Sequence, residues 1–542
     1  MNTFKKKSLH AAVLAGLAAL GAAGTANAVH INPDGLGQVL VFPYYTVRNG
    51  NATAMSIVNT TSLTKIVKVR FLEGKNSREV LDFNLFLSPQ DVWTGVVIPT
   101  AAGARLETGD NSCVTPSDLF GNAAGVIRTD GTLPLNDFKN YTYIAPTADN
   151  TAFGTLDRTR EGYMEVLEMG VITNVIITGY IKHNSAGVPA NCGALDAYDG
   201  LSQTAPTTAG AAGRFTSAAG GHITPPVGGQ FGRASILNSA AGSNYAYEPT
   251  AVDGWWVGVA GSNAYFPSGD LNPNISLSAG ISATSNVFIT GTPTGVVPVI
   301  PTGVVTANWT SSRDAVSAIF MRDTVANEFL TDAGTVSKTD WVITMPTKKN
   351  HILVGTGVPA VGGRPFSNNF ADTTPTGACD AYTLGMYNRE EGTLSGAPGV
   401  ILPSPRPPAV SAVGQLLCWE ANVVEFGTTG LLGSNNNFRL LNGFDVFGST
   451  TATTTGAAFA TLSRRVLQGP NGWAFLGFGA TVLPSQSQQS ITPLSATLNG
   501  APVPGVHFGL PIIGTAFHNY TNTGVASAYG GVLPHKFTRN IQ

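Results

Sequence analysis

Apolar and polar residues alternate along the first third of the chain, and this period of two constrains the fold most. In residues 67–71 three apolar side chains share one face and two bases share the other, as in a half-buried antiparallel strand. The same pattern follows in 81–87 and 92–98, each ending near a proline, and 53–59 precedes them. Strands at intervals of about 12 residues are typical of a β-sandwich or barrel, and we interpret 29 to about 100 as the start of a sandwich.

The remaining chain predicts more strands separated by long tracts of small residues. The longest tract, about 202–242, is predicted to be loop. The predicted fold is mostly β, with antiparallel β-sandwich-like domains, long Gly/Ala/Ser/Thr-rich loops and one or two helices. The further predicted strands are 163–169, 174–182, 255–260, 341–345, 416–426, 437–447 and 473–482.

One helix is predicted near 312–330, where Val316, Phe320, Val325 and Phe329 belong to an apolar stripe and Ser311 can cap the start. We place a domain boundary near residue 300, just before this helix. The predicted organisation is a signal peptide in 1–28, an N-terminal β-rich domain in 29–300, and a C-terminal β-rich domain in 301–542 that contains the helix.

The first 28 residues have the three parts of a secretory signal peptide. Lys5–Lys7 is basic, 11–20 is apolar, and Ala26–Ala28 offers small residues for cleavage before Val29. No later stretch has the eighteen or more uninterrupted apolar residues of a membrane helix, so no transmembrane helix is predicted. We therefore expect export to an extracellular or outer cell-surface location.

Composition agrees with an exported β protein. Charged residues make up 11% of the chain, against about 25% in ordinary soluble proteins, while the apolar share is 43%. Such a chain can bury enough apolar surface to fold, and its outer surface must be built largely from Thr, Ser, Asn and Gly. After the signal peptide, adjacent bases occur only in isolated pairs such as Lys348–Lys349, so no nucleic-acid partner is predicted.

Four cysteines, an even number in an exported chain, predict two disulfides. Three pairings exist, and sequence proximity favours Cys113 with Cys192 and Cys379 with Cys418. Each would close a long loop worth roughly 4 kcal/mol in the chain-entropy model. A zinc site is disfavoured because no two cysteines have metal-ligand spacing.

The segment 157–168 gathers acids and bases in a chain that otherwise has few. Paired carboxylates serve glycosidases as general acid and nucleophile or base, but arginine–carboxylate pairing on a sheet surface is the interpretation we favour. No catalytic residue is predicted. The residues concerned are Asp157, Arg158, Arg160, Glu161, Glu165 and Glu168.

Other site signals are weaker. No HExxH motif or nucleophile elbow occurs, so metal-dependent and serine hydrolysis find no support. Calcium would suit the Asp/Asn-rich turns 32–35, 196–200 and 268–274, but none has a complete acidic loop, and no cofactor is predicted. Five tryptophans could stack on sugars, although core packing is the favoured interpretation. These are Trp255, Trp256, Trp309, Trp419 and Trp473.

Several strings in both halves of the chain resemble an uncharacterised group of exported proteobacterial cell-surface proteins. The resemblance implies an outer-surface location and supplies no catalytic residues. The strings are 32–40 with 43–46 (NPDGLGQVL and PYYT), 70–83 (RFLEGKNSREVLDF), 160–165 (REGYME), 339–348 (TDWVITMPTK) and 535–539 (HKFTR).

The function predicted from these features is structural. We expect an exported cell-surface protein that is not an enzyme and forms a subunit of a surface layer, sheath, matrix or extracellular filament. Its partners would be copies of itself or other surface components. The alternatives are an outer-membrane β-barrel channel, which the C-terminal Gln542 disfavours, and a secreted carbohydrate-binding or carbohydrate-active protein.

Overall fold

The computed structural model describes most of the chain after the predicted signal peptide. The described residues are mostly strand, which confirms the predicted mostly β class. They also contain four short helices, where one or two were predicted: α1 (Val175–Ile181), α2 (Leu195–Asp199), α3 (Ser312–Phe320) and α4 (Lys348–His351). The described ranges are 28–120, 135–143, 154–199, 215, 222–258, 265–276, 280–290, 302–352, 365–366, 378, 380–389, 415–426, 430–440, 471–478, 489–522 and 527–542.

The strands fall into two groups along the chain. The first group is β1 (His30–Ile31), β2 (Val39–Thr46), β3 (Ala52–Asn59), β4 (Thr64–Glu73), β5 (Glu79–Leu87), β6 (Val92–Pro99), β7 (Ala104–Glu107), β8 (Val114–Thr115), β9 (Glu161–Ile172), β10 (Ile223–Thr224), β11 (Gln230–Asn238), β12 (Ser243–Tyr247) and β13 (Thr250–Asp253).

The second group is β14 (Thr284–Ile289), β15 (Gly303–Asn308), β16 (Met321–Arg322), β17 (Thr324–Leu330), β18 (Lys338–Thr344), β19 (Asp380–Asn388), β20 (Gln415–Leu417), β21 (Ala421–Phe426), β22 (Asn437–Leu440), β23 (Asn471–Gly477), β24 (Ser490–Ile491), β25 (Ser495–Leu498), β26 (Ala501–Val503), β27 (His507–Phe508), β28 (Leu510–Pro511), β29 (Ile513–Asn522), β30 (Ser527–Pro534), β31 (Lys536–Thr538) and β32 (Asn540–Ile541).

The first group forms a sandwich. One sheet has the order β1-β13-β2-β9-β4-β5-β8, with β10 added beside β9, and the other has the order β12-β11-β3-β6-β7. Their inner faces share one apolar core, in which Phe42, Val69 and Val166 from the larger sheet meet Ile57 and Trp93 from the smaller one. This is the antiparallel sandwich that the period of two predicts.

A third sheet has the order β22-β21-β18-β29-β30. Its inner strands β18 and β21 are buried on both faces, whereas the edge strand β30 exposes Tyr529 and Leu533. Along β18, Val342 packs into the core of the first sandwich, whereas Trp341 and Ile343 pack against a fourth sheet of order β20-β19-β23-β17-β31. Successive strand residues point to opposite faces, so one strand supplies both cores. The four sheets are therefore stacked through continuous apolar layers.

The outer face of the largest sheet is covered by residues from both sides of position 300. Helix α3 packs there through Val316 and Phe320, beside a sheet of order β14-β15-β25-β26. Strands β14 and β15 pair with each other across that position. The predicted domain division stays a prediction, and apolar cores extend over it.

Both faces of the largest sheet are covered by other parts of the protein, which corrects the prediction that 67–71 form a half-buried strand. Residues 67–71 do form part of β4, but the whole strand is buried, including Lys68 and Arg70 on the face predicted to meet solvent. The alternation is present because the two faces meet different parts of the protein. Their partners are other charged and polar groups of the same chain.

Two predicted elements are wrong. Residues 174–182 form helix α1 instead of a strand, because the Asn174 side chain accepts hydrogen bonds from the backbone N–H groups of Ile176 and Ile177 and caps the first turn. The helix predicted at 312–330 ends at Phe320, and 324–330 form β17. Val325 and Phe329 share one face in either structure, so their spacing did not decide between them.

Other boundaries differ more modestly. Within the tract predicted to be loop, 230–238 form β11, whose inward positions include small residues such as Gly232 and Ala234. The described part of 255–260 contains an isolated bridge at Trp256 but no extended strand. Strands β22 and β23 begin within two residues of the predicted positions, and the later parts of those two segments lie outside the described residues.

Candidate functional site

Most of the charge-rich segment predicted from the sequence lies inside the protein, although Asp157 is exposed and Arg160 is half-buried. It runs from a 3₁₀ turn, Leu156–Arg160, into β9, which is hydrogen-bonded between β2 and β4. Glu161, Glu165 and Glu168 are at most 2% exposed. The predicted arginine–carboxylate pairing is present, but its place is the interior, not a sheet surface.

Arg158 and Glu73 form a fully buried pair. The guanidinium Nε lies 2.6 Å from one carboxylate oxygen of Glu73, and Nη2 lies 2.9 Å from the other. Burial acts to raise the pKa of Glu73, but Arg158 and the backbone N–H groups of Arg78 and Lys75 lower it to about 2. Glu73 is therefore a fixed anion, fully used by its partners.

Glu165 and Glu168 have cationic partners on β4. Arg70 reaches Glu165 at 2.7 Å and Glu79 at 2.6 Å, and Lys65 reaches Glu168 at 2.9 Å. Burial raises the pKa of both Glu165 and Glu168, while these cations oppose the rise. Two bases of β4, Lys65 and Arg70, thus bind two acids of β9.

Glu161 connects the two halves of the chain. It accepts hydrogen bonds from Arg48 Nε and the Tyr44 hydroxyl, both at 2.8 Å. From the second half it accepts the backbone N–H of Asn435 at 2.9 Å and the hydroxyl of Ser434. One carboxylate therefore joins β2, β9 and the loop before β22.

The network continues into the turn that contains α4. Lys348 pairs with Asp380 at 3.2 Å, and Lys349 donates to the Ser77 carbonyl at 2.9 Å. Glu420 is fully buried beside these lysines, and burial raises its pKa well above the usual value. We refer to these linked ionic residues as the ionic network. Its members are Arg48, Lys65, Arg70, Glu73, Glu79, Arg158, Glu161, Glu165, Glu168, Lys348, Lys349, Asp380 and Glu420.

A second pair of acids lies between β18 and β21. Asp340 and Glu425 are cross-strand neighbours with fully buried side chains. Asp340 accepts the backbone N–H groups of Leu431 and Leu432 at 2.7 and 2.8 Å. Burial, followed by the Glu425 charge, raises the pKa of Asp340 to about 8. Asp340 therefore largely retains its proton at neutral pH.

One turn considered for calcium binds a lysine ammonium. The Nζ of Lys68 lies 2.8 Å from the Pro267 carbonyl and 3.0 Å from the Asn272 carbonyl, and it also donates to the Asp270 carbonyl. Backbone carbonyls are ordinary calcium ligands, and here a side-chain cation occupies them. Within the described ranges, no group of three or more His, Cys, Asp or Glu is arranged to hold a metal ion.

Helix α3 contributes a serine–histidine contact that sequence reasoning missed. Ser317 Oγ lies 2.8 Å from His351 Nε2 and donates to Thr347 Oγ1 at 2.9 Å, while Asp314 lies 3.9 Å from His351 Nδ1. A catalytic triad needs a serine that substrate can reach and a carboxylate in hydrogen-bond contact. Ser317 is fully buried. The contact instead joins α3 to α4.

The structure joins Cys113 and Cys192 in a disulfide, which is the first of the two predicted pairings. It ties β5 and β8 to the segment carrying α1 and α2, beside an apolar cluster that contains Ile177 and Leu195. Cys418 is buried, and Cys379 lies outside the described residues. The second pairing stays a prediction.

Comparisons of this chain with family models, with curated proteins and with solved structures give no match. The helices in the described part of the chain are all too short or too polar to cross a membrane.

Proposed function

We propose that the protein is an exported structural component of the cell surface, a subunit of a surface layer, sheath, matrix or extracellular filament. It acts without catalysis, cofactor or nucleic acid, through contacts with its own copies or other surface components. The observation that carries the proposal is the ionic network. Apart from the exposed Asp157 and the half-buried Arg160, the cluster that most resembled an active site is buried in the interior, where its ion pairs join neighbouring strands.

Several features support this proposal. Charged residues are few in this chain, and the ionic network places many of them in the interior. The stacked sheets also share apolar cores over much of the described chain. A disulfide is typical of an oxidising compartment. The signal-peptide pattern in 1–28 and the resemblance to exported surface proteins point to the same location.

Cell fractionation and electron microscopy test the proposal together. When the full-length protein is expressed, the mature chain, cleaved before Val29, should be recovered in shed or sheared surface material. The purified mature protein should form lattices or fibres. A variant lacking residues 2–28 is the control and should remain inside the cell. Uniform single particles under all conditions, or full-length protein retained inside the cell, would contradict the proposal.

A further inference from the structure

Six of the seven tryptophans are buried and one is presented to solvent. Trp473 is 45% exposed, whereas each of the others is at most 5% exposed. The sequence had grouped Trp473 with four residues that prove to belong to the interior. Those are Trp255, Trp256, Trp309 and Trp419, and the favoured interpretation of core packing holds for all four.

Neighbouring side chains hold the Trp473 ring in place on the outer face of the fourth sheet. It is the cross-strand neighbour of Tyr387 on β19 and of Glu328 on β17. The Tyr387 ring stacks on one face of the indole, with centroids 4.7 Å apart and planes at 16°. Next along the strand, Phe475 lies across Gly385, where a Cβ would come within 2.0 Å of Phe475 Cε1.

A groove of about 300 Å³ lies on the β17 side of Trp473. The indole forms one wall, Leu533 and Pro534 form the other, and Glu328 and Lys536 contribute exposed polar ends. The volume is at the lower end of sites for small ligands. The groove therefore combines the flat indole ring, a short apolar wall, and two charged side chains that can form hydrogen bonds.

The two charged ends have opposite signs, so their charges cancel within the groove. This favours an uncharged ligand that can both donate to a carboxylate and accept from an ammonium group. A sugar hydroxyl does both, and the C–H face of a hexose is a flat apolar surface that suits an aromatic ring. An anionic ligand would meet Glu328, and a cationic one would meet Lys536.

We propose that this groove binds one neutral hexose unit of a polysaccharide, with the sugar ring stacked on Trp473 and its hydroxyls bonded to Glu328 and Lys536. The site gives a structural surface protein a means of attachment to a glycan. It does not rest on that function, because one isolated copy of the chain contains every residue the groove uses.

Affinity gel electrophoresis of the purified mature protein tests the proposal. The gels contain hydroxyethyl cellulose, soluble starch or yeast mannan, with alginate as the charged polysaccharide. At least one neutral polymer should slow the protein. Trp473→Ala should weaken that binding at least about tenfold, since the stacking surface is lost. Glu328→Gln keeps the shape of the groove and should weaken binding by about threefold or more.

Phe288→Ala is the matched control, because Phe288 is a similarly exposed aromatic residue on β14 in another sheet. Its migration should equal that of the parent protein. Iodide quenching gives a second readout. Trp473 should account for the quenchable tryptophan fluorescence, and the polymer that slows the protein should protect it.

Three results would overturn the proposal: no retardation by any neutral polymer, retardation by alginate alone, or retardation that survives Trp473→Ala. None of them depends on assembly. Lattices formed by a protein that binds no glycan would reject the groove and keep the structural role, and glycan binding by a protein that never assembles would do the reverse.

Discussion

At the residue scale, the main lesson concerns charges that the fold hides. Removing an ion from water costs several kcal/mol, and only a close partner with further hydrogen bonds offsets that cost. Arg158 and Glu73 meet this condition: Arg158 binds both oxygens of Glu73, and Glu73 also accepts backbone N–H groups. Breaking one such pair is therefore far more costly than breaking an exposed pair.

We predict that Arg158→Met lowers the free energy of unfolding by about 3–5 kcal/mol, because it leaves Glu73 charged and buried without its cation. Urea denaturation at pH 7 measures the change. Arg233→Met is the control, since Arg233 and Glu248 form a pair with side chains about 70% exposed, and pairs of that kind contribute at most about 1 kcal/mol. Equal effects of the two substitutions would refute the expectation.

The pairing of Arg158, Glu161, Glu165 and Glu168 with opposite charges was predictable from the sequence, but their burial was not. A period of two shows that a strand has two different faces. It does not show whether the polar face meets water or other polar groups of the same chain. Along β4 the second case holds, because residues far away in sequence cover Lys68 and Arg70.

At the scale of elements, helix caps and apolar alternation gave conflicting signals, and the sequence alone did not decide between helix and strand. The apolar residues of 174–182 fit a strand, and the Asn174 cap decided for helix α1. Asn is also a common turn residue, so the signal was present but ambiguous. The end of α3 at Phe320 is a similar case, since the short strand β16 follows at once and the register of β17 with β23 makes 324–330 a strand.

The strand pair β18–β21 should make stability depend on pH through Asp340. Its pKa is raised to about 8 in the folded protein, against about 4 in an unfolded chain. The folded state therefore binds the proton more tightly. The resulting stabilisation is complete below about pH 4 and is lost as pH rises toward 8.

Asp340→Asn should flatten the decline in stability between pH 4 and 8, because one of the groups that titrate in this range is gone. Thermal unfolding in a series of buffers measures this, and Asp34→Asn, at an exposed turn, should leave the profile of the parent protein unchanged. A variant profile that falls as steeply as the parent's over this range would show that Asp340 is not the group responsible.

At the scale of the whole molecule, the order of the layers was beyond sequence reasoning. The mostly β class follows from local alternation, and so do most strands of the first sandwich. The burial of both faces of β18 does not follow from local alternation, because it depends on which distant segments meet Val342 and Trp341. The groove beside Trp473 was missed for the same reason, since β17, β23 and the end of β30 come together only in the folded chain.

The disulfide acts on the whole molecule because it closes a loop with a sequence separation of 79. Replacing both Cys113 and Cys192 by Ser should lower the free energy of unfolding by about 4 kcal/mol, chiefly by enlarging the unfolded ensemble. Chemical denaturation in non-reducing buffer measures the loss, and peptide mapping of the parent should find both residues linked. Alkylatable thiols at these positions in the native protein would exclude the bond.

The position of β2 has a consequence for how the chain acquires its structure. This early strand is central in the largest sheet, yet its contacts come from far along the sequence: Tyr44 binds Glu161, 117 positions away, and the Pro43 carbonyl accepts the Thr344 hydroxyl, 301 positions away. Contacts at such separation slow folding, since long loops must close first. In a growing chain, the apolar strand Val39–Thr46 therefore gains its contact with Thr344 only after more than half of synthesis is complete. We therefore expect the sheet to close around Val39–Thr46 late in folding. This strand is then the clearest target for a chaperone that holds extended segments.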